Sequence, residues 1–574
     1  MFRRNGTHQQ EHLISDLDHL GQKHRMRLAD SWAGVFYREF FCRLDERPFA
    51  VLYSQDEASR PNIAVNVLIG LEALKAGFGW SDADMYDAFI FDLQVRYALG
   101  YHNLGEGDFE LRSVYNFRRR LTEHMLNTGE NLLDRALVQI TDVQIHSFQL
   151  STRQLRMDST QIASNIQQLT RLQLLVEVLQ RVYRMLAPAD QERHGERFAP
   201  YLKGSAGQYT YHLRDTEHRA HVQAIGELMQ HMVTELAVSY AEDSVYLTLR
   251  RVFREQFCPG ADGVQVIPGG QVSSHHLCSP DDPEATFCRK GQNDYEGYVT
   301  NVTETCEPGN PFQLIVKVQT EPNITSDSAL LVDALPDLKR RTGVERLYND
   351  ATFCSRAADR VLRQHGVIQV PTGLRGQAPH PHKLNLSHFH IRCGDNDQPL
   401  QVTCPHGQTV TVHSRRNPHN SIAYFTQCQT CPLQPRCQTH VIKRDERRSL
   451  YFTRYQMDAA ERRQRCAALH RSGRNPRAAI EATLGAIKHP FSDDQLPVRG
   501  QCRVAAVMLG AAGMFNVRRI HRYLSRMRVG SENPASTATP GDSALGHFCF
   551  ALRTCIQALL APVRPPVLAF SFAW

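Results

Sequence analysis

The stretch RNPRAAIEATLGAIKH, residues 474–489, reads as a short helix with an unusual face. Arg477, Glu481 and Lys488 fall at R-x-x-x-E-x-x-x-x-x-x-K, and at about 100° per residue they project within about 40° of one another. Two readings compete for Glu481. It is either an exposed acid paired with Arg477 one turn back, worth a few tenths of a kcal/mol, or a carboxylate that performs chemistry.

Working outward, the surroundings of this helix are basic. From Arg436 to Arg477 there are twelve Arg or Lys against four Asp or Glu, a local excess larger than the net charge of +7 carried by all 574 residues. Such concentration points to a polyanionic partner. The N-terminus, MFRRNGTHQQEHLISDL, lacks the apolar core of a signal peptide, and the best apolar run, VAAVMLGAAGMFNV at 504–517, is shorter than the ~20 residues a membrane span needs. A soluble, cytoplasmic protein without membrane contact is expected. Fifteen cysteines without an export signal favour free or metal-bound thiols over a disulfide framework.

The pattern along the chain predicts mixed α and β structure of the α/β class. Residues 61–145 read as a helical unit: PNIAVNVLIGLEALKAG, a capping signal at Ser81-Asp-Ala-Asp84, and SVYNFRRRLTEH with Arg118, Arg119 and Arg120. Those arginines are either a solvated face or phosphate contacts of a small DNA-binding domain. FQLSTRQLRMDSTQIAS (148–164) reads as a strand running into Asp158, whose bland reading is a turn residue. Residues 166–296 are mainly helical by their three- and four-residue apolar spacing. GYVTNVTET (297–305) and FQLIVKVQT (312–320) form an expected antiparallel hairpin. SALLVDALPDLKRRTG is a helix stopped at Gly343, and VERLYND is a short strand ending at Asp350. SRAADRVLRQHG is then a helix stopped at Gly366, and VIQVPTG a further strand. Asp350 thus lies at the carboxyl end of a strand, where α/β folds place ligands, or it merely caps a helix.

The segment 376–470 is polar, Cys- and Arg-rich and poorly periodic, with no evident core of its own. Within it Cys404, Cys428, Cys431 and Cys437 are spaced C-x23-C-x2-C-x5-C, a pattern suited to a structural Zn²⁺ that would supply the missing stability. Cys428-x-x-Cys431 is the specific part, since Cys393, His406 and His440 lie nearby; incidental thiols are the alternative. SSHHLC (273–278) offers no paired knuckle and reads as a polar loop. No G-x-x-x-x-G-K-S/T loop is present, which argues against nucleotide hydrolysis.

Phosphodiester chemistry on DNA is served by two Mg²⁺ ions, which take hard oxygen ligands, so a few carboxylates at strand ends and on a packed helix are the expected signature. Asp158, Asp350 and Glu481 fit that description. In order, RMDSTQIASN, YNDATFCSRAADRVLRQHG and RNPRAAIEATLGAIKH resemble the DDE transposases of bacterial insertion sequences, in the group whose third acid lies in a Y-x-x-R-x-x-x-E-x-x-x-x-x-x-K helix. The resemblance runs from about residue 61 to 525. It departs at Arg474, where the motif has Tyr, and at Ala351, where such proteins commonly have Gly.

This resemblance implies an RNase H-like core in two parts, 146–165 with 297–375 and the helices of 471–528. Residues 1–60 would be an N-terminal extension, 166–296 a helical insertion, 376–470 a zinc-ribbon-like insertion, and 529–574 a linker and tail. It implies Asp158, Asp350 and Glu481 as ligands of two Mg²⁺ (or Mn²⁺), with Arg477 and Lys488 as phosphate-contacting helpers. Arg118, Arg119, Arg120, Arg471 and Arg474 would contact double-stranded DNA, namely the element's inverted repeats and the target. A homodimer on DNA, associated with the nucleoid, is also implied. A decayed transposase that only binds DNA, and a nuclease without strand transfer, are the competing functions.

Overall fold

The strand expected to stop at Asp158 runs on to Ala163. In the computed structural model β1 (Gln154–Ala163) continues because Ser159, Thr160 and Gln161 keep pairing with the neighbouring strand, so Asp158 lies inside the strand rather than at its end. The model describes residues 1–532 except 11–14, 55, 57, 212, 215–216, 261–262, 377–379, 395–397, 415–419, 443–446, 474 and 492–494. Residues Met1–Arg522 form one unit and Tyr523–Trp574 another. The linker and tail expected over 529–574 lie, from 533 onward, outside the described residues.

Around β1 a mixed sheet assembles from β2 (Thr286–Lys290), β3 (Asn293–Thr305), β4 (Ile315–Pro322), β5 (Arg346–Asn349) and β6 (Ile368–Pro371). Its order is β2-β3-β1-β5-β6, with β4 also on β3 beside β2. β3 runs antiparallel to β1 and β4, while β1, β5 and β6 are mutually parallel. β3 and β4 are the hairpin anticipated from GYVTNVTET and FQLIVKVQT.

Alternation along β1 gives its faces separate tasks. Leu155 and Met157 enter an apolar core with Leu331, Leu335, Leu338, Leu347 and Phe353. Helices α4 (Asp327–Thr342) and α5 (Arg356–Gln364) supply much of that core. Arg156 and Asp158 point the other way, toward α7 (Ala478–Lys488). α4 begins at the Ser326 cap and stops where Gly343 turns left-handed, φ 66°, a conformation glycine adopts without penalty. Pro336 lies within α4.

At the N-terminus, α1 (Val65–Phe78), α2 (Asp82–Phe91) and α3 (Leu111–Thr128) form the helical unit anticipated from 61–145. Residues 1–60 are no mere extension, because Phe36, Phe41 and Phe49 are fully buried and Glu46 accepts the Val65 and Asn66 N–H groups that open α1. Between β1 and β2 the chain forms helices from Arg171 to Gln256, with their own apolar cluster around Leu175, Leu179, Ile225 and Met229.

The expectation that 376–470 has no core is corrected by a second sheet of six antiparallel strands, from His390–Cys393 to Arg448–Thr453. Val402, Phe425, Leu450 and Phe452 are essentially buried beneath it. Short strands separated by polar turns had hidden the apolar positions. α6 (Arg454–Arg471) adds Met457 and Ala460 to that core and is tied to α5 by Arg462 with Asp359 and by Arg363 with Asp458, and to β6 by Arg465 donating to the Gln369 carbonyl. α8 (Gln501–Glu532) follows α7.

Candidate active site

Asp158 is buried on β1, 6% exposed. Its Oδ1 accepts the Ser159 N–H at 3.0 Å and its Oδ2 accepts from Arg477 Nη2 at 2.8 Å. Asp350 follows β5 and caps the turn Ala351–Phe353, accepting the Thr352 N–H at 2.7 Å and the Thr352 hydroxyl. The capping reading was therefore correct for that oxygen, while Oδ2 lies 4.0 Å from Arg477 Nη2. Glu481, in the first turn of α7, has a side chain 62% exposed and takes Arg477 Nη1 at 3.2 Å. One planar guanidinium thus touches carboxylates from a strand, a strand end and a helix. Arg477 itself precedes α7 as its N-cap residue.

The electrostatics match this geometry. Burial pushes the Asp158 carboxyl above the usual carboxylate range; Arg477 and the Ser159 N–H oppose that shift, and Asp350 reinforces it. Arg477 is held more firmly protonated by Asp158, Asp350 and Glu481 than burial alone would allow. Its Nε is buried without a partner among the described residues. Lys488 Nζ donates to Thr160 Oγ1 at 3.1 Å, which returns the far end of α7 to β1 two residues beyond Asp158.

Carboxylate oxygens are the donors a hard divalent cation takes, and here a guanidinium lies among three of them. The donor set fits. As the side chains stand, no three His, Cys, Asp or Glu among the described residues are grouped to hold a metal ion.

Cys404, Cys428, Cys431 and Cys437 line one cavity of about 40 Å³ together with His406. The tight turn 404–408 closes through Gly407 N–H to Cys404 O at 2.9 Å, and Cys431 N–H reaches Cys428 O at 3.3 Å. Burial, with Cys437, Cys404 and Cys431 as neighbours, raises the Cys428 thiol above its ordinary value. All four thiols are free.

The basic residues divide sharply. Arg118 donates Nε to Glu72 at 2.7 Å and Nη2 to Asp82 at 2.7 Å, while Lys75 shares Asp82 at 2.5 Å. It pins α3 to α1 and α2, its charge already met by two carboxylates. Arg119 is 62% exposed beside Glu123, and Arg120 lies over the Tyr53 ring at 5.1 Å. In the basic run before Arg477, Arg454, Arg462 and Arg465 are engaged with Asp458, Asp359 and Glu461. The local charge excess therefore overstates the cationic surface. Arg471 is exposed at the end of α6. Arg474 lies outside the described residues.

Sequence reasoning missed Glu304. It is fully buried on β3 and meets Arg156, Arg519 and Thr483. Its only signal was an acid within the β-rich run GYVTNVTET.

Residues 403–521 match the family model described as Transposase DDE domain. Over that segment the chain is similar to the transposase DDE domain. The match includes Arg477, Glu481, Lys488 and the four cysteines, while Asp158 and Asp350 precede it. No curated protein and no solved structure matches the chain. The transposase family implies DNA as partner and a divalent metal, typically Mg²⁺, as cofactor. Among the described residues no helix is long and apolar enough to cross a membrane.

Proposed function

We propose that this transposase binds the inverted repeats of its own element and cleaves and joins DNA there, with Asp158, Asp350 and Glu481 as the metal-holding acids. The observation that carries the reading is their convergence on Arg477. Support for an RNase H-like core comes from the sheet order, with an antiparallel β4-β3-β1 meander continued by parallel β5 and β6 and α7 packed over the central strand.

Bound by the three acids, Mg²⁺ would activate the attacking oxygen and stabilise the leaving 3′-oxygen. Asp158 is held by the sheet, and Asp350 by its own cap, so two ligands are oriented before substrate arrives. Glu481, on an exposed helix face, completes the set from the solvent side. Arg477 neutralises the acids in the free protein and, with the acids holding divalent cation, would be free to contact the scissile phosphate. Lys488 and Arg471 line the approach of the backbone phosphates, joined by the exposed Arg119. The enzyme acts as a homodimer on paired ends. The four cysteines hold a structural Zn²⁺ beside the second sheet, in keeping with their shared cavity.

The test uses a duplex of the element end. Glu481→Ala is expected to bind it at least as well as wild type, with affinity falling steeply as salt rises, while Mg²⁺-dependent cleavage disappears. Wild-type protein that binds the ends but never cuts with Mg²⁺ or Mn²⁺ would instead establish a DNA-binding relic. Cleavage by Glu481→Ala at the wild-type rate would remove Glu481 from the chemistry.

A further inference from the structure

We infer that Glu304 is a positioning residue for the acid-bearing helix, acting through Thr483; the inference rests on the reading of Asp158, Asp350 and Glu481 as metal-holding acids. Glu304 stands directly opposite Arg156 in the β1–β3 register, and the two form an ion pair at 2.6 Å with side chains 0% and 8% exposed. A second cation, Arg519 of α8, reaches the other carboxylate oxygen. Two arginines on one buried acid exceed what neutralising it requires, and burying them carries a desolvation cost for each ion. A cluster of that kind is explained by what its outer hydrogen bonds hold.

Those bonds lead to the acids. Arg156 lies two residues before Asp158 on the same face of β1, and its Nη1 donates to the Pro476 carbonyl at 2.8 Å, fixing the turn that delivers Arg477. The Thr483 hydroxyl, two residues after Glu481, is 1% exposed; it donates to Glu304 Oε1 at 3.0 Å and accepts from Arg519 Nη2 at 2.8 Å. Glu304 therefore ties the start of α7 and the Thr483 side of its first turns to the strand carrying Asp158, beside the apolar face of Ile480, Leu484 and Ile487 and the Lys488 contact at its far end. Glu481 is mostly solvent-exposed and has no packing of its own to set its direction. Rotation of α7 decides whether it faces Asp158 or water.

The test uses the full chain with Thr483→Val, Thr483→Ser and Glu304→Gln. Mn²⁺ binding is followed by the paramagnetic resonance signal of the free ion, beside thermal melting and end cleavage. Thr483→Val removes the hydroxyl yet leaves Glu304 with both arginines, so no buried charge is stranded. It should melt close to wild type but bind Mn²⁺ about tenfold more weakly, the size of loss typical when a partner of a metal ligand's support is removed. Cleavage should recover at high Mn²⁺, and Thr483→Ser should restore wild-type affinity. Glu304→Gln should weaken Mn²⁺ binding at least as much; if it does not fold, the Thr483 pair decides alone. Wild-type Mn²⁺ affinity and cleavage in Thr483→Val, with both lost in Glu481→Ala, would overturn the positioning role while leaving the active site intact. Normal Mn²⁺ binding and cleavage in Glu481→Ala would instead overturn the active-site reading, and the inference with it.

Discussion

Replacing Arg477 with Gln separates its two roles, as counter-ion in the free protein and as competitor of a metal. Asp158 is 8% exposed at the side chain and 2.8 Å from the guanidinium. Unit charges about 4 Å apart attract by about 4 kcal/mol at an effective dielectric near 20. Rehydration of the arginine returns part of this, and Asp158, already pushed upward by burial, takes a proton rather than remain charged and unpaired. The metal-free variant should therefore lose about 2–3 kcal/mol. Divalent cation should narrow that gap by about 1.4 kcal/mol without closing it. Mn²⁺ at a hundred times its dissociation constant adds about 2.7 kcal/mol to any state that binds it. With no guanidinium to displace, the variant should bind Mn²⁺ about tenfold tighter, a difference of about 1.4 kcal/mol. Denaturant unfolding with and without Mn²⁺, alongside direct Mn²⁺ titration, reads both effects. Cleavage should nevertheless fall, because the phosphate loses its cationic contact. If the variant is destabilised but binds Mn²⁺ no tighter than wild type, the guanidinium does not occupy the metal's place, and the reading of the acids as a metal site loses its main support.

Arg118→Ala should cost about 2–3 kcal/mol by leaving Glu72 without its arginine and Asp82 with Lys75 alone inside the N-terminal helices, while the folded fraction keeps its affinity for end DNA. Burial alone would raise Asp82, but Arg118 and Lys75 outweigh it and hold the carboxyl at about 2; the unfolded value is about 3.9. A depressed acid stabilises the fold above its unfolded pKa and loses that contribution as pH falls through the folded one. The advantage of wild type over Arg118→Ala, measured by denaturant unfolding, should thus be full at neutral pH and shrink between about pH 4 and 2. Protein purified without chelator should contain about one Zn²⁺ per chain, lowered by Cys428→Ser with Cys431→Ser; zinc content indistinguishable from zero in wild type would end the zinc assignment. Because the second sheet has its own apolar core, that double variant should remain folded.

Local signals were legible where local chemistry determines structure. Gly343, Gly366 and the VERLYND-to-SRAADRVLRQHG junction placed α4, β5, Asp350 and α5 within a residue or two. The helix face of Arg477 and Glu481 was readable from spacing, and its two readings proved compatible, since the ion pair is present and the same arginine reaches Asp158 and Asp350. What failed depended on partners distant in sequence. Polar residues after Asp158 looked like a strand end because their partners on β3 lie far along the chain. Arg118 looked like a cationic surface because Glu72 and Asp82 sit on other helices. Glu304 carried no signal, because a buried acid is recognisable only once its arginines are found.

The long separation of the acids has a simple topological reason. β1 leaves the sheet at Ala163, and β3 joins β1 at Gly297, its direct register partner, so to the β1–β3 pair the stretch between them is one long antiparallel connection, returning to the sheet through β2. Closing a long loop costs only about 0.6 kcal/mol more for each doubling of length, which the helical excursion offsets with a core of its own. The point of return is built for close approach: Gly297 has φ +148°, and a Cβ there would meet the Ile162 carbonyl at 2.4 Å. Asp282, near the end of the excursion, latches the same place by taking hydrogen bonds from Ser164, Tyr298 and the Gly500 N–H. The join is therefore fixed beside the sheet. The helices of the excursion reach this latch through Arg181 with Asp281 and Arg251 with the Pro283 carbonyl, so they brace the β1–β3 register that sets Arg156 against Glu304.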